Sequence, residues 1–303
     1  MSAMASPAAP STPAPAAPPG SLRVAAVQMV SSPRVEENLR VAAHWIAQAA
    51  QQGARLVVLP EYFCLMGLRD RDKVAVREAD GSGPIQEFLA EAARRHGIWL
   101  VGGTLPLATP DVDHVYNTVL VFNPAGERVA RYDKIHLFAF QSGQEAYDEA
   151  RTIRPGSVPV AFDCPADAPP TAGGSADQRA APPLRVGLSV CYDLRFPELY
   201  RRLGPTDLLL VPAAFTATTG RAHWETLLRA RAIENLCYVL ASAQGGRHEN
   251  GRSTYGHSML IDPWGDVVAV LEEGAGVVVG DVEPGRIQRY RSSLPALDHR
   301  VLP

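Results

Sequence analysis

Lysine is almost missing from this 303-residue chain: of 29 basic side chains only Lys73 and Lys134 carry an ammonium, and arginine supplies the rest. The cations form no cluster, and a net charge of −3 leaves no electrostatic footprint for nucleic acid or an anionic membrane as partner. No apolar run approaches the roughly 20 residues a membrane-spanning helix requires. Cysteine is scarce as well. The four, Cys64, Cys164, Cys191 and Cys237, are too few and too unevenly spaced for a disulfide framework, and no Asn-x-Ser/Thr acceptor occurs, so a reducing cytoplasm is the expected location. Residues 1–21 are mainly Ala, Pro and Ser, with neither a basic n-region nor an apolar h-region and no arginine before Arg23. A disordered tail is expected there rather than a signal or transit peptide.

What is present is apolar and evenly distributed. A hydrophobic content of 46% is ample for a sizeable core, and one domain over 22–303 is expected. Short apolar strands alternate with amphipathic helices. Leu22 to Met29 predicts a strand; Asn38 to Gln52 predicts a helix with Leu39, Ala42, Ala43, Ile46 and Ala49 on one stripe, closed by Gly53. Ile85, Phe88, Leu89 and Ala92 mark a second helix ending at Gly97, before a strand from Ile98 to Gly102. Val115 to Phe122, the turn Asn123 to Gly126, and Glu127 to Asp133 predict an antiparallel hairpin. Pro165 to Pro183 predicts a flexible surface loop between two strands. Beyond it come strands at Leu184 to Val190 and Asp207 to Pro212, and a helix from His223 to Cys237. The last strands are Tyr238 to Ala243, Gly256 to Asp262, Val267 to Leu271 and Val277 to Val282. The pattern predicts mixed sheets with helices on their outer faces, and periodicity leaves open whether there is one sheet or two.

Three strand ends carry chemistry. The apolar run Leu184 to Val190 stops at Cys191 and turns toward Pro197, a residue suited to the first helical position. A turn from strand into helix displays a thiol, and a helix N-terminus behind it favours the thiolate. Most free cysteines are small buried hydrophobes, but this one has company. Leu56 to Leu59 delivers Glu61, a carboxylate placed to act as a general base. The hairpin leads into Lys134, an ammonium kept by a chain that otherwise chooses arginine. An ammonium is compact enough to sit beside a thiol and a developing oxyanion, where a planar guanidinium is not. Glu, Lys and Cys together are the set that amide hydrolysis through a thioester requires.

Glu61 in LVVLPEYF, Lys134 in RYDKIHLF and Cys191 in GLSVCYDLRFPELYR resemble the three signature segments of the nitrilase, or carbon–nitrogen hydrolase, superfamily. The resemblance runs from about Leu22 to about Val301. The segments PAAFTATTGRAHWETLLRARAIENLCYV and GRHENGRSTYGHSMLIDPWG are similar to the Nit-type branch, whose amidases act on deaminated glutathione. It implies an α/β (α+β) fold, a four-layer α-β-β-α sandwich of two mixed sheets that pairs into a homodimer. It implies hydrolysis of a small-molecule amide, with 2-oxoglutaramate, other small amides or nitriles as alternative substrates, and with acyl transfer or a catalytically silent binding scaffold as alternative roles. Glu149 matches the family's additional active-site Glu, which orients substrate or lysine, with an exposed loop acid in an acidic stretch with Glu145 and Asp148 as the alternative; the stretch Phe138 to Gly143 departs from close relatives, so the pocket rim is expected to differ. A backbone N–H near Tyr192 joins Lys134 as oxyanion donor. Phe215 and Thr219 match positions lining a 2-oxoacid pocket. Arg195, four residues past the nucleophile, is placed to clamp a carboxylate, with pairing to Glu198 or Asp193 as the alternative. His223 and Trp224 are explained by capping and packing. The mechanism needs no metal and no organic cofactor, and no His/Cys spacing suggests a metal site.

Overall fold

The computed structural model describes residues 18, 20–143, 145–166 and 182–302. The tail expected over 1–21 and the loop expected over 165–183 therefore lie, for residues 1–17, 19 and 167–181, outside the described residues. The chain begins with β1 (Leu22–Gln28), α1 (Val35–Gln51), β2 (Leu56–Val58), α2 (Asp72–Ala75) and α3 (Pro84–His96). Strands β3 (Trp99–Val101), β4 (Leu105–Ala108), β5 (Val115–Phe122), β6 (Arg128–Asp133), β7 (Ala139–Ser142), β8 (Glu145–Asp148), β9 (Ala161–Cys164) and β10 (Leu184–Leu188) follow. The remainder is α4 (Pro197–Arg202), β11 (Leu208–Ala213), α5 (Ala217–Asn235), β12 (Tyr238–Ala243), β13 (Ser258–Ile261), β14 (Val267–Leu271), β15 (Gly276–Val282) and α6 (Pro284–Ser293).

These strands build two large mixed sheets and one small hairpin, β7–β8. In the first sheet β1, β2 and β3 run parallel, β15 flanks β1 antiparallel, and β5 pairs with β3 and β4 along one edge and with β6 along the other. The second sheet has the order β14-β13-β12-β11-β10-β9, with β10, β11 and β12 parallel at its centre. Alternation of side chains along each strand sorts the core into layers. Val24 and Ala26 of β1 pack with Leu188 and Leu210 of the second sheet, whereas Ala25 and Val27 pack with Ala42, Ile46 and Ala49 of α1 and Leu89 of α3. On the far side Trp224, Leu228 and Ala232 of α5 cover the second sheet. The result is the expected α-β-β-α sandwich. The sheets are also tied by polar bonds at their ends: Ser242 Oγ donates to Val27 O at 2.6 Å, and Gly245 N to Met29 O at 2.8 Å.

Local chemistry explains the helix limits. Pro84 occupies the first position of α3, and Gly97 ends it in the left-handed region at φ 61°. The helix expected from His223 begins earlier, at Ala217, capped by Thr216, whose hydroxyl accepts the Thr219 N–H at 3.3 Å. The Ala-Thr-Thr-Gly opening hides it, because Gly220 reads as a breaker although it is buried against Tyr255, where a Cβ would come within 2.3 Å of that side chain. The strand expected to reach Val190 ends at Leu188. Strands β4, β7, β8 and β9 and helices α2 and α6 were not expected from the sequence. Among the described residues no helix is long and apolar enough to cross a membrane, and no group of three or more His, Cys, Asp or Glu side chains is placed to hold a metal ion.

The topology positions the site. Glu61, Cys191 and Ala214 each follow the carboxyl end of a parallel strand, β2, β10 and β11, and Lys134 follows β6, so one end of the sandwich collects all four.

Candidate active site

Cys191 sits on a sharp turn. Val190 is extended, Cys191 is left-handed at φ 50°, and a 3-10 turn from Cys191 to Arg195 precedes α4. A left-handed non-glycine residue costs roughly 1–2 kcal/mol, so the surrounding bonds have to hold it. Asp193 does so: its Oδ2 accepts the Val190 N–H at 2.8 Å and the Tyr132 hydroxyl at 2.6 Å, and its Oδ1 accepts the His136 N–H at 3.0 Å and contacts His136 Nδ1 at 2.7 Å. Asp193 thereby ties the Cys191 turn to the segment that carries Lys134. The thiolate expected from the helix end does not emerge. Burial, followed by the charge of Glu61, pushes the Cys191 thiol well above its ordinary 9.0; Lys134 opposes this, while Glu149 adds to it. The first helical turn of α4 begins only at Pro197, too far along to overrule two nearby carboxylates.

Glu61 and Lys134 are both fully buried. Glu61 Oε1 accepts from Lys134 Nζ at 2.9 Å and Asn117 Nδ2 at 3.0 Å, and Oε2 accepts from the Ala214 N–H at 2.9 Å. Lys134 Nζ also donates to Glu149 Oε1 at 3.0 Å and Oε2 at 2.7 Å. Burial disfavours the Lys134 charge, but Glu149 and Glu61 more than offset it and raise its pKa above 10.5. Glu149 is drawn the other way: burial pushes its carboxyl up, and Lys134, the Phe138 N–H at 2.8 Å and the Tyr62 hydroxyl at 2.8 Å together bring it below 4.5. The alternative of an exposed loop acid is thus excluded for Glu149, whose side chain is 13% exposed.

Cys191, Tyr192, Arg195, Phe215 and Thr219 line one pocket together with Phe138, Glu149 and Arg252. Arg195 lies over the rings of Phe215 and Tyr192, at 5.4 and 5.8 Å, and faces His223 Nδ1 at 3.3 Å. It forms no ion pair with Glu198 or Asp193 among the described residues; Asp193 faces the other way, into its own buried bonds. Thr219 shares a hydroxyl contact of 2.9 Å with Thr216, and Phe215 packs on Trp224 at 4.7 Å. A second cavity of about 80 Å³ adjoins, sharing Phe138, Glu149 and Arg252 with the first. The rim is a cluster of aromatic rings around Phe138, which stacks on Phe140 and meets Tyr147 tilted and Tyr192 edge-on. Four site residues escaped the sequence reading: Asn117, Tyr62, Asp193 and Arg252. Asn117 carried a signal, as the buried amide in the apolar run Val115 to Phe122. Arg252, in a Gly- and Asn-rich loop, carried none.

Known proteins resemble this chain in sequence and in fold. Residues 23–292 match the carbon-nitrogen hydrolase family. The chain is 40% identical over 282 residues to a deaminated glutathione amidase of Synechocystis, covering 91% of this chain and 97% of that protein. Its fold superposes on the crystal structure of Saccharomyces cerevisiae Nit3, a member of branch 10 of the nitrilase superfamily, with a TM-score of 0.77 and 31% identity, covering 93% and 97% of the two chains. An amidase from Nesterenkonia, whose active-site cysteine carries the product of Michael addition of acrylamide, superposes with a TM-score of 0.69 and 27% identity over 90% of this chain and 98% of that one. With its sandwich fold, its buried Glu, Lys and Cys at three strand ends, and these likenesses over nearly its whole length, the chain belongs to the carbon–nitrogen hydrolase family of the nitrilase superfamily.

Proposed function

We propose that the chain hydrolyses an amide through a thioester on Cys191, and that its substrate is deaminated glutathione, cleaved to 2-oxoglutarate and cysteinylglycine. The observation that carries the chemistry is the buried Lys134 ammonium, bonded to Glu61 and Glu149 and close enough to Cys191 to act on its charge. Three donors fill three of the roughly four lone-pair sites of the Glu61 carboxylate, leaving one for the thiol proton. Moving that proton from Sγ to Glu61 leaves the total charge of the site unchanged, which is why a thiol that resists ionisation alone can still react. Sγ attacks the amide carbonyl as the proton passes to Glu61. The oxyanion is held by Lys134 and the Tyr192 N–H, and for Lys134 this means exchanging one of its two bonds to Glu149. Glu61 then protonates the leaving amine, the C–N bond breaks, and the thioester remains. Water, deprotonated by Glu61, adds to the thioester carbonyl, and Cys191 departs as the thiol.

Arg195 gives the acyl half its identity. A guanidinium stacked between two rings beside the nucleophile, with no carboxylate partner among the described residues, suits the α-carboxylate of a 2-oxoacyl group. The same reading takes 22–303 as one domain of a cytoplasmic homodimer, in keeping with four free cysteines and the family resemblance. The test is a turnover screen of deaminated glutathione, 2-oxoglutaramate, simple aliphatic amides and nitriles, with Cys191→Ala as the inert control. Arg195→Ala is expected to lower kcat/KM for both oxoacyl amides by roughly 10- to 100-fold, the worth of a hydrogen bond to a charged group. A preference for neutral amides or nitriles, unmoved by Arg195→Ala, overturns the oxoacid assignment.

A further inference from the structure

Both lysines of this chain border the active site, and the amidase mechanism uses only one. Lys73, on α2, lines the 80 Å³ cavity with Arg69, Arg252, Asn250, Tyr62 and Glu149. Arg69, Lys73 and Arg252 face Asp70, Asp148 and Glu149 there, but they are not paired one to one. Arg69 is held by Asp72. Asp148 accepts the Ala150 N–H and lies 3.5 Å from Arg151, and Asp70 is at the exposed rim. Lys73 donates to the Asp70 carbonyl at 2.8 Å and to Thr152 Oγ1 at 3.2 Å, two neutral acceptors for three N–H donors, and forms no ion pair among the described residues. Arg252 donates through Nη2 to the Ala214 carbonyl at 2.6 Å and lies over the Tyr147 ring at 5.1 Å, while its buried Nε has no hydrogen-bond partner among the described residues. Two cations that form no ion pair among the described residues thus converge on one partly enclosed space, where a ligand anion can join them.

We infer that this cavity is the leaving-group subsite and that it takes an amine bearing a carboxylate, an amino acid or short peptide, with Lys73 and Arg252 as the partners of that carboxylate. The inference rests on the amidase reading and deepens it. Phe138, Glu149 and Arg252 form the wall shared with the Cys191 pocket, so an amide whose carbonyl lies at Cys191 with its acyl half toward Arg195 can extend its amine half past Glu149 into the cavity. Tyr62, next in sequence to the Glu61 that returns the proton to the amine, lines the same space. Burial lowers the Lys73 pKa below 10.5, with Asp70 and Glu149 raising it only in part, and a bound carboxylate offsets that penalty. A substrate that releases ammonia makes no use of this subsite; one that releases cysteinylglycine does.

The experiment compares deaminated glutathione with its C-terminal carboxamide. Wild-type enzyme is expected to favour the acid at least tenfold in kcat/KM, Lys73→Met to abolish that ratio, and Lys73→Arg to retain most of it. A ratio near one in wild type, or one that Lys73→Met leaves intact, overturns the subsite. A second measurement does not depend on the acyl group: cysteinylglycine and its C-terminal amide are titrated into Cys191→Ala protein by calorimetry, with and without Lys73→Met. Tighter binding of the acid, lost with Lys73→Met, supports the subsite even if wild type fails to turn over 2-oxoglutaryl amides, in which case the acyl assignment alone fails. Equal binding of acid and amide overturns the subsite even where turnover succeeds.

Discussion

Lys134 directs each of its three N–H groups at a carboxylate oxygen and has no exposed surface. A guanidinium in its place keeps the charge but brings a planar fork and more volume into a space bounded by Glu61, Glu149 and Cys191, and cannot exchange a single donor onto the oxyanion. Lys134→Arg is therefore expected to lose about 10²–10³-fold in kcat, nearly as much as Lys134→Ala. Retention of most activity in steady-state assays reduces Lys134 to a general electrostatic feature. That Glu61, Lys134 and Cys191 were legible in the sequence follows from their position, since each ends a readable strand or hairpin and each has a side chain with reactive chemistry. Glu149, Arg195, Phe215 and Thr219 needed a resemblance, because a loop acid or a helix-proximal Phe has many roles. Tyr62 and Arg252 were out of reach: a phenol that bonds Glu149 across 87 positions and a guanidinium that borders two pockets acquire their roles only when the chain is folded.

At the scale of elements, what the sequence declared was periodic and what it concealed was short. Helices α1 and α3 follow apolar stripes, and the β5–β6 hairpin follows its Asn-Pro-Ala-Gly turn. The three-residue strands β2 and β3 are unbroken apolar runs, whereas the four residues of β4 are interrupted by Pro106 and those of β9 by Asp163. Helix α6 buries only Ile287 and is otherwise polar, so no stripe marks it. Asp193 joins elements that no local pattern connects. Its carboxylate holds Val190, Tyr132 and His136 in place, linking the turn after β10 to the segment after β6. Asp193→Ala leaves those buried donors unmatched, at about 1–3 kcal/mol each before relaxation, so a fall in stability of about 3 kcal/mol is expected together with a lower kcat. Asp193→Asn, which accepts with only one oxygen, is expected to fall between. Denaturant unfolding and kcat on the same samples check this; a variant as stable and active as wild type shows that Cys191 is held by the strand and helix alone.

Across the whole molecule the buried thiols and phenols are held protonated, and this sets its response to alkali. Burial is the largest cause in each case: the thiols of Cys64 and Cys191 lie above their ordinary 9.0, that of Cys237 is pushed up to about 12, and the phenols of Tyr62, Tyr132 and Tyr200 lie above 10.0, with Tyr238 pushed up to about 12. In the unfolded chain these groups release their protons as pH passes 9.0 and then 10.0, while the folded protein retains them. A raised folded pKa contributes stability that is complete below the unfolded value and is lost as pH climbs toward the folded one, so each group lowers stability by about 1.4 kcal/mol per pH unit across that interval. Lys134, raised above 10.5, adds to the loss beyond that point. On the acid side Glu149, held below 4.5, contributes stability above that value and loses it as pH falls through its folded pKa. The expected profile is a plateau from about pH 5 to 9 with a steep alkaline limb, read as Tm or as urea midpoint at constant ionic strength. Cys64→Ala with Cys237→Ala is expected to lower the plateau, since both side chains are packed in the core, and to make the alkaline limb shallower by removing two of the linked protons. An unchanged alkaline slope in that double variant, or a midpoint that stays level from pH 8 to 11, refutes the assignment of that limb to buried thiols and phenols.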